Sequence, residues 1–324
     1  MQTYTTNDGV ALAYRDTGVE DEEAKGRPWL LLIHGFTGTS LVWSKNIPAL
    51  SAQYRLIIPD LRGHGASEQP DHGFQVSRLA MDLRELVLLL QGTEDKGEER
   101  EWKSIGGSLG ASILWCYASL FTTAPFTHTV FVDQSPLQNS LPDWDGRYCN
   151  RGMNNPLAVS ALQSTLAASP ADAHKATIAA CLSYRACPLP SDFPSPEARE
   201  EKTREDEAFF LEEAMRGHQQ YYGKLMADHT ALDWRSSIAA TFGPASGSAT
   251  KVLVVASSRS GCFPEAGPLE VVRRVGGRAR GVVVDWGGHW CYWEDPARFD
   301  DLVLGFLAGE KEVGDKEMER WVRG

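Results

Sequence analysis

A serine set among glycines is the strongest chemical feature of the chain. The segment 106–110 reads GGSLG, follows an apolar stretch at 102–105 and precedes an apolar helical pattern that runs to about Phe121. Glycines permit the tight strand-to-helix turn that exposes a serine hydroxyl. At a helix N-terminus the serine also lies near backbone N–H groups that favour developing negative charge. We therefore expect Ser108 to act as a nucleophile.

A serine nucleophile needs a base to take its proton, and His289 fits that requirement. It lies in the segment 286–290 (WGGHW), after a predicted strand at 280–285 and before a predicted helix at about 295–308. The chain order of nucleophile and then base, with the base in the final loop, is typical of serines on such turns. Of the eight histidines, His289 alone combines flanking glycines with this position.

Two hydrogen-bond donors must face the oxyanion of a tetrahedral intermediate. The segment 34–38 (HGFTG) follows an apolar strand at 28–34. We expect the backbone N–H groups of Phe36 and Leu109 to be these donors, with Gly35 allowing the backbone to approach closely. His34 is interpreted as a brace for this loop rather than as a base.

The elements that must position these residues alternate between apolar segments and helical patterns. Continuous apolar strands separated by helices predict a mainly parallel sheet covered on both faces. Between about 136 and 235 the strand signal gives way to helical patterns and proline-rich breaks, which predicts a helical insertion. The charged tail after Gly309 is predicted to be a surface helix or frayed. Further strands are predicted at 10–16, 54–59, 102–107, 128–133 and 251–257, and a helix at about 75–91.

Together these motifs resemble the α/β-hydrolase superfamily, in its serine esterase, lactonase and haloperoxidase-like branch. The resemblance rests on four segments in order: HGF at 34–36, DLRGHGAS at 60–67, GGSLG at 106–110, and GHW with EDP at 288–296. It implies an α/β fold with a mainly parallel, eight-stranded sheet and helices on both faces.

The resemblance also implies a division of the chain into two parts. Residues 1–135 and 236–324 would form the hydrolase core. Residues 136–235 would form a helical cap, or lid, inserted after the sixth strand.

The acid of the catalytic triad is where this sequence departs from the family pattern. The family usually places a carboxylate after the seventh strand, where this chain has Ser260. A hydroxyl cannot carry the negative charge that stabilises an imidazolium. The other placement seen in the family is after the sixth strand, where Asp133 stands. We predict Asp133 as the acid, with Glu265, five residues past the usual position, as the alternative.

The identity of the nucleophile restricts the chemistry. Epoxide hydrolases and haloalkane dehalogenases of the same superfamily attack with a carboxylate, so the resemblance to them stops at the fold. Ser108 implies an acyl-enzyme, formed and hydrolysed with His289 as base and acid. We expect hydrolysis of a carboxylic ester or lactone without metal or organic cofactor. The alternatives are a secondary-metabolism cyclase or C–C bond hydrolase using the same serine, and a ligand receptor on the hydrolase fold.

The substrate is expected to be a fairly apolar small molecule, because aromatic residues lie next to the motifs. The predicted pocket residues are Gly35, Trp43, Trp144 and Trp290. The six cysteines show no CxxC or other metal-ligand spacing. Free buried thiols, and no metal site, are therefore predicted.

Composition excludes several classes of partner. The 324 residues include 32 Lys and Arg against 43 Asp and Glu, a formal charge of −11. Such a chain lacks the basic footprint that nucleic acids and anionic membranes require. No apolar run reaches the roughly 18 residues of a membrane span, and no leader pattern begins the chain. We expect a cytoplasmic protein, monomeric or homodimeric, with a small-molecule substrate as its partner.

Overall fold

The computed structural model describes residues 1–94, 101–309 and 320–323. Its centre is a nine-stranded sheet with the strand order β1-β2-β4-β3-β5-β6-β7-β8-β9. The strands are β1 (Gln2–Thr5), β2 (Ala11–Asp16), β3 (Trp29–Ile33), β4 (Arg55–Pro59), β5 (Trp102–Gly107), β6 (Phe126–Val132), β7 (Lys251–Ser257), β8 (Ala279–Val284) and β9 (Arg320–Arg323).

The six central strands, β3 to β8, pair in parallel, whereas the edges are antiparallel. The predicted eight-stranded α/β-hydrolase sheet is thus confirmed in β1–β8. The ninth strand corrects the prediction for the tail, because Arg320–Arg323 pairs with β8 instead of forming a helix or fraying. The rest of the predicted tail, at 310–319, lies outside the described residues.

Helices cover both faces of the sheet. Leu31 and Ile33 of β3 pack into one hydrophobic cluster, and Leu30 and Leu32 pack into the other. The sheet is therefore buried on both sides, as its continuous apolar strands predict. The helices are α1 (Thr17–Glu20), α2 (Ile47–Ser51), α3 (Val76–Glu94), α4 (Leu109–Phe121), α5 (Pro156–Ala168), α6 (Pro170–Cys181), α7 (Ser183–Ala186), α8 (Pro196–Met215), α9 (Gln219–Ala231), α10 (Arg235–Phe242), α11 (Ala266–Val275), α12 (Cys291–Glu294) and α13 (Pro296–Leu307).

Six helices, α5 to α10, lie between β6 and β7 in the described part of the chain, and the first five, α5 to α9, fall where the insertion is predicted. Within this group α5 packs against α9 and α6 packs against α8. The next helix, α10, packs against α4 and α11, which flank the sheet. Among the helices of the described residues, none is both long and apolar enough to cross a bilayer.

The topology collects the predicted chemical residues at one edge of the sheet. His34, Ser108 and Asp133 directly follow β3, β5 and β6, and His289 lies in the loop that follows β8. Parallel strands end on the same side, so their carboxyl ends form a common rim where ligands bind in open α/β sheets. The candidate site lies on this rim.

Candidate active site

Ser108 sits on a strained turn between β5 and α4. Its backbone has φ 52° and ψ −118°, a conformation that residues with a side chain rarely adopt. The neighbouring glycines are required by close packing. A Cβ at Gly106 would lie 2.6 Å from the carbonyl of Gly110, and one at Gly110 would lie 2.5 Å from the carbonyl oxygen of Ile33. The GGSLG segment therefore forms the tight turn that its glycines predict.

His289 and Asp133 form a buried pair. The Nδ1–H of His289 donates to Asp133 Oδ2 over 2.7 Å, and both side chains are at least 95% buried. This bond leaves Nε2 as the ring nitrogen available for proton transfer. Burial opposes protonation of His289, but the charges of Cys262 and Asp133 outweigh it and raise the pKa of the imidazole above its usual range.

Asp133 is held by the last residue of β7 and by the loop that follows this strand. Ser260 Oγ donates to Asp133 Oδ2 over 2.6 Å, and the backbone N–H of Ser257 points to Oδ1 at 3.3 Å. Ser260 occupies the position where the family usually has its acid, and here its hydroxyl supports the carboxylate of Asp133. Glu265, the alternative acid, lies at the start of α11. The structure thus brings Asp133 to His289.

The hydroxyl of Ser108 points to a residue without a predicted role. In the described part of the chain, Ser108 Oγ donates a 3.4 Å hydrogen bond to Gln134 Oε1 rather than to His289. Gln134 directly follows Asp133, and its Nε2 donates to the carbonyl of Ser135. Catalytic hydrogen bonds are often loose without substrate, so this arrangement is compatible with a Ser108–His289 pair. The sequence feature that could have indicated a role for Gln134 is its position directly after Asp133.

The loop after β3 lies against the serine turn. A Cβ built on Gly35 would lie 3.1 Å from the Cβ of Ser108, so a side chain here would press on the serine turn. His34 donates from Nδ1 to the carbonyl of Gly35 over 2.8 Å and accepts the Leu61 N–H at Nε2 over 3.0 Å. Burial lowers the pKa of His34 to about 4, which keeps the ring neutral. The predicted bracing role of His34 is confirmed.

A cavity of about 480 Å³ opens in front of Ser108 and His289. Gly35, Phe36 and Trp290 line it, together with one face of α5 and of α6. Much of the wall is apolar, including Leu162 of α5 and Ala173 of α6. Its polar members are Gln138, Asn150, Thr165, Asp172, Thr177 and His229. The cavity can hold a small, largely apolar molecule next to the serine.

Two predicted pocket residues need correction. Trp43 is fully buried and stacks on Tyr292 with ring centroids 4.3 Å apart, within the core. Trp144 stacks on Tyr148 and donates its Nε1–H to the carbonyl of Leu137. Neither tryptophan belongs to the described cavity wall, since both are held by packing in other places.

His229, one of three histidines in the predicted insertion, lies on the cavity wall. It lies on α9, it is only 3% exposed, and its Nδ1 has no hydrogen-bond partner within the described residues. Burial and the charge of His289 lower its pKa to about 3, so the ring is neutral. A buried nitrogen without a partner costs about 1–3 kcal/mol unless a ligand or water satisfies it.

A cluster of two sulfurs adjoins His289. Cys181 ends α6, Cys262 lies after β7, and their sulfurs are 3.7 Å apart. The ligand atoms of these two cysteines and His289 lie within 4.8 Å of one another. Free thiols were predicted, and all six cysteines are free. Linear spacing could not reveal this cluster, because its members lie far apart in the chain.

Glu294 holds the loop that carries His289. Its Oε1 accepts the N–H of Gly288 over 2.6 Å, and its Oε2 accepts the hydroxyl of Ser183 over 2.7 Å. Ser183 begins α7 of the insertion. Glu294 therefore ties the loop after β8 to the helices above the sheet, a role suggested only by its place in the EDP motif.

Comparison with known proteins identifies the class. A family model described as the alpha/beta hydrolase fold matches residues 28–296, most of the chain. The chain therefore belongs to the α/β hydrolase family. Its resemblance to this family, stated from the motifs, is confirmed.

Similarity to individual relatives in sequence is local. The chain is 40% identical over 89 residues to the soluble epoxide hydrolase of Corynebacterium sp. (strain C12), covering 28% of this chain and 29% of that protein. It is 36% identical over 94 residues to epoxide hydrolase A of Mycobacterium tuberculosis (strain ATCC 25618 / H37Rv), covering 28% and 27%. The matched stretch thus spans less than a third of these relatives.

Similarity in structure is global. The esterase EaEST from Exiguobacterium antarcticum superposes with a TM-score of 0.76 at 14% identity, covering 95% of this chain and 99% of that one. The enol-lactonase from Burkholderia xenovorans LB400 gives 0.71 at 19% identity, covering 95% and 100%. At such low identity these matches establish the shared fold.

Proposed function

We propose that this protein is a serine hydrolase that cleaves a carboxylic ester or lactone of a fairly apolar small molecule. The observation that carries the proposal is the buried Asp133–His289 hydrogen bond beside a cavity that Ser108 also lines. A strained serine, an oriented imidazole and a cavity of small-molecule size are the three parts that acyl transfer requires.

The chemistry follows from the proposed triad of Ser108, His289 and Asp133. His289 Nε2 takes the proton of the Ser108 hydroxyl as the oxygen attacks the substrate carbonyl. The carbonyl electrons move to the oxygen, which the backbone N–H groups of Phe36 and Leu109 stabilise. His289 then protonates the leaving alcohol as the acyl-enzyme forms, and a water molecule repeats the steps to release the acid.

Asp133 is proposed as the acid because its carboxylate accepts the Nδ1–H of His289. This bond fixes the tautomer in which Nε2 is unprotonated and stabilises the imidazolium that forms during attack. The hydroxyl of Ser260 assists by donating to the same oxygen.

The helices α5 to α9 are proposed to form the cap of a two-part molecule, with residues 136–235 as the cap and the flanking segments as the core. The support is that α5 and α6 supply much of the apolar cavity wall opposite Ser108. A cap in this position selects the substrate by shape, whereas the sheet edge supplies the chemistry.

Two of the curated relatives are named epoxide hydrolases, so epoxide hydrolysis is the reaction to compare with acyl transfer. We favour acyl transfer, because the residue on the strained turn is Ser108 rather than a carboxylate. A serine hydroxyl becomes a nucleophile only with a base beside it, and His289 lies on the same cavity wall.

Active-site labelling tests the proposal. A fluorophosphonate probe should modify Ser108, as read by peptide mass spectrometry, and the wild-type protein should hydrolyse p-nitrophenyl esters or lactones. Ser108→Ala should abolish both. Ser112→Ala is the matched control, because Ser112 lies one turn along α4 and its hydroxyl is buried without a partner within the described residues. Labelling at another residue, or turnover that survives Ser108→Ala, would refute the proposal.

A further inference from the structure

We propose that Cys181, Cys262 and His289 form a binding site for a thiophilic divalent cation such as Zn²⁺, and that the bound ion blocks the serine chemistry. The observation is the cluster of two sulfurs and one imidazole on the cavity wall. The binding stands on this geometry alone. The block on catalysis, by contrast, rests on the function proposed above.

The spacing of the sulfurs matches tetrahedral coordination. Two Zn–S bonds of about 2.3 Å at a tetrahedral angle place the sulfurs about 3.8 Å apart. The sulfurs of Cys181 and Cys262 are 3.7 Å apart. All three donor atoms lie within 4.8 Å of one another, so shifts of about 1 Å bring the imidazole to bonding distance.

The three segments that carry the donors are tied together by their backbones. The N–H of Gly261 donates to the carbonyl of Ala180 over 3.1 Å, which joins the two cysteine segments. The N–H of Trp290 donates to the carbonyl of Cys181 over 3.3 Å, which joins α6 to the histidine loop. The donor atoms are therefore held close together before any ion arrives, which favours binding.

Asp133 accepts a hydrogen bond from the ring nitrogen of His289 that does not face the proposed ion. A histidine that binds a metal almost always donates its other ring N–H to a carboxylate or carbonyl, which fixes the tautomer and raises ligand basicity. Asp133 accepts the Nδ1–H of His289, so Nε2 is the nitrogen that can face an ion. Two thiolates and one imidazole form a donor set that suits Zn²⁺, with the fourth position open to the cavity.

Binding would proceed without any redox step. Each thiol loses its proton to the buffer as a sulfur–metal bond forms, and the lone pair of His289 Nε2 forms the third bond. That lone pair is the one that accepts the proton of Ser108 in the proposed reaction. An occupied site therefore removes the base, and chelation of the ion restores it.

The binding test uses Cd²⁺ as a spectroscopic probe with the reduced full-length protein under anaerobic conditions. Thiolate coordination should give a charge-transfer absorption in the ultraviolet that saturates at one equivalent. Cys181→Ala and Cys262→Ala should each weaken binding at least about 100-fold, and Asp133→Asn about 10- to 100-fold. The matched control is Cys187→Ala, a half-buried cysteine outside the cluster, which should bind as the wild type does.

Several outcomes would overturn the site. The site would be refuted by the absence of a charge-transfer band in the reduced wild type, or by unchanged affinity for Cd²⁺ in Cys262→Ala. It would also be refuted by an intact protein mass two hydrogens lower at the end of the anaerobic titration. The last result would mark Cys181 and Cys262 as a disulfide-forming pair.

The inhibition test is separate. Zn²⁺ should suppress p-nitrophenyl ester hydrolysis at the concentrations at which it binds, and EDTA should restore the rate. Full ester hydrolysis by protein whose site is saturated with Zn²⁺ would refute the proposed inhibition. Ser108→Ala should bind Cd²⁺ normally, so failure of the proposed function would leave the binding test intact.

Discussion

Replacing Asp133 by asparagine tests the unusual placement of the acid. The outcome depends on how the amide orients. The N–H of Ser257 faces Oδ1 over 3.3 Å, whereas Oδ2 accepts from both Ser260 Oγ and His289 Nδ1. The tautomer of His289 reverses when the amide oxygen takes the position of Oδ1 and the NH₂ group replaces Oδ2. The NH₂ group then meets the hydroxyl of Ser260, whose oxygen already accepts the N–H groups of Cys262 and Phe263, and it faces His289 Nδ1 with a donor. The imidazole must accept there, which places its proton on Nε2.

A proton on Nε2 prevents His289 from taking the proton of Ser108. A tautomer reversal of this kind lowers kcat about 10⁴-fold, which corresponds to about 5.5 kcal/mol of activation free energy. We expect that loss in Asp133→Asn, measured as steady-state hydrolysis of a p-nitrophenyl ester. Thermal unfolding should show that the protein remains folded.

Two further variants sharpen the test. Glu265→Gln should keep kcat within about twofold, since Glu265 is a half-buried residue at the start of α11 that the proposed triad does not use. The double variant Asp133→Asn with Ser260→Asp returns a carboxylate to the usual family position, and it should recover part of the lost rate. The reasoning fails if Asp133→Asn keeps a tenth or more of its activity, or if Glu265→Gln loses as much as Asp133→Asn.

Three other predictions follow from individual contacts. Activity should increase as pH rises through the pKa of His289, because the imidazole must lose its proton to act as the base. The charge of Cys262 helps to raise that pKa, so Cys262→Ser should move the rising limb of the kcat/KM profile to lower pH. His229→Leu removes a buried nitrogen without a protein partner, so the melting temperature should hold or rise, while kcat/KM should fall about 2- to 10-fold if substrate bonds there. Asp16→Asn removes the carboxylate that accepts hydrogen bonds from Arg55 Nε and Nη2 in the core, over 2.8 and 2.6 Å. The free energy of unfolding in urea should therefore fall by about 3–5 kcal/mol.

Each of these predictions has a contrary result. If the rising limb of the kcat/KM profile stays in place or moves to higher pH in Cys262→Ser, the charge of Cys262 does not raise the pKa of His289. A lower melting temperature with unchanged kcat/KM would make His229 a packing residue. The control for Asp16→Asn is Asp145→Asn, which removes an exposed partner of Arg147 and should hardly change stability.

Local sequence carried most of the information about the fold and about the turn that holds Ser108. Ser108 was predictable because its turn depends on neighbouring residues alone: an apolar strand, two glycines and an apolar helix. His289 was placed by the same kind of pattern at the end of another strand. Asp133 needed the family resemblance, because a carboxylate at the end of a strand has many other uses.

Features that depend on distant residues were not predictable. Trp43 follows the motif at 34–38 closely in sequence, but its ring is directed to Tyr292 of a much later segment. The strand Arg320–Arg323 forms because β8 offers a partner at the edge of the sheet, and no pattern within four residues reveals that. His229 gains its significance only when α9 is packed against the cavity.

The departure of this chain from the family pattern and its sulfur cluster have one structural origin. When the acid follows β6, the loop after β7 no longer has to present a carboxylate to His289. Ser260 in that loop instead supports Asp133 through its hydroxyl, and its Oγ also accepts the N–H of Cys262 over 3.1 Å. That bond holds Cys262 beside the imidazole, two residues after the position where the family usually has its carboxylate. If Asp133 is the acid, the loop after β7 is free to carry a thiol beside His289, and a site proposed for serine chemistry acquires donors that compete for the same nitrogen.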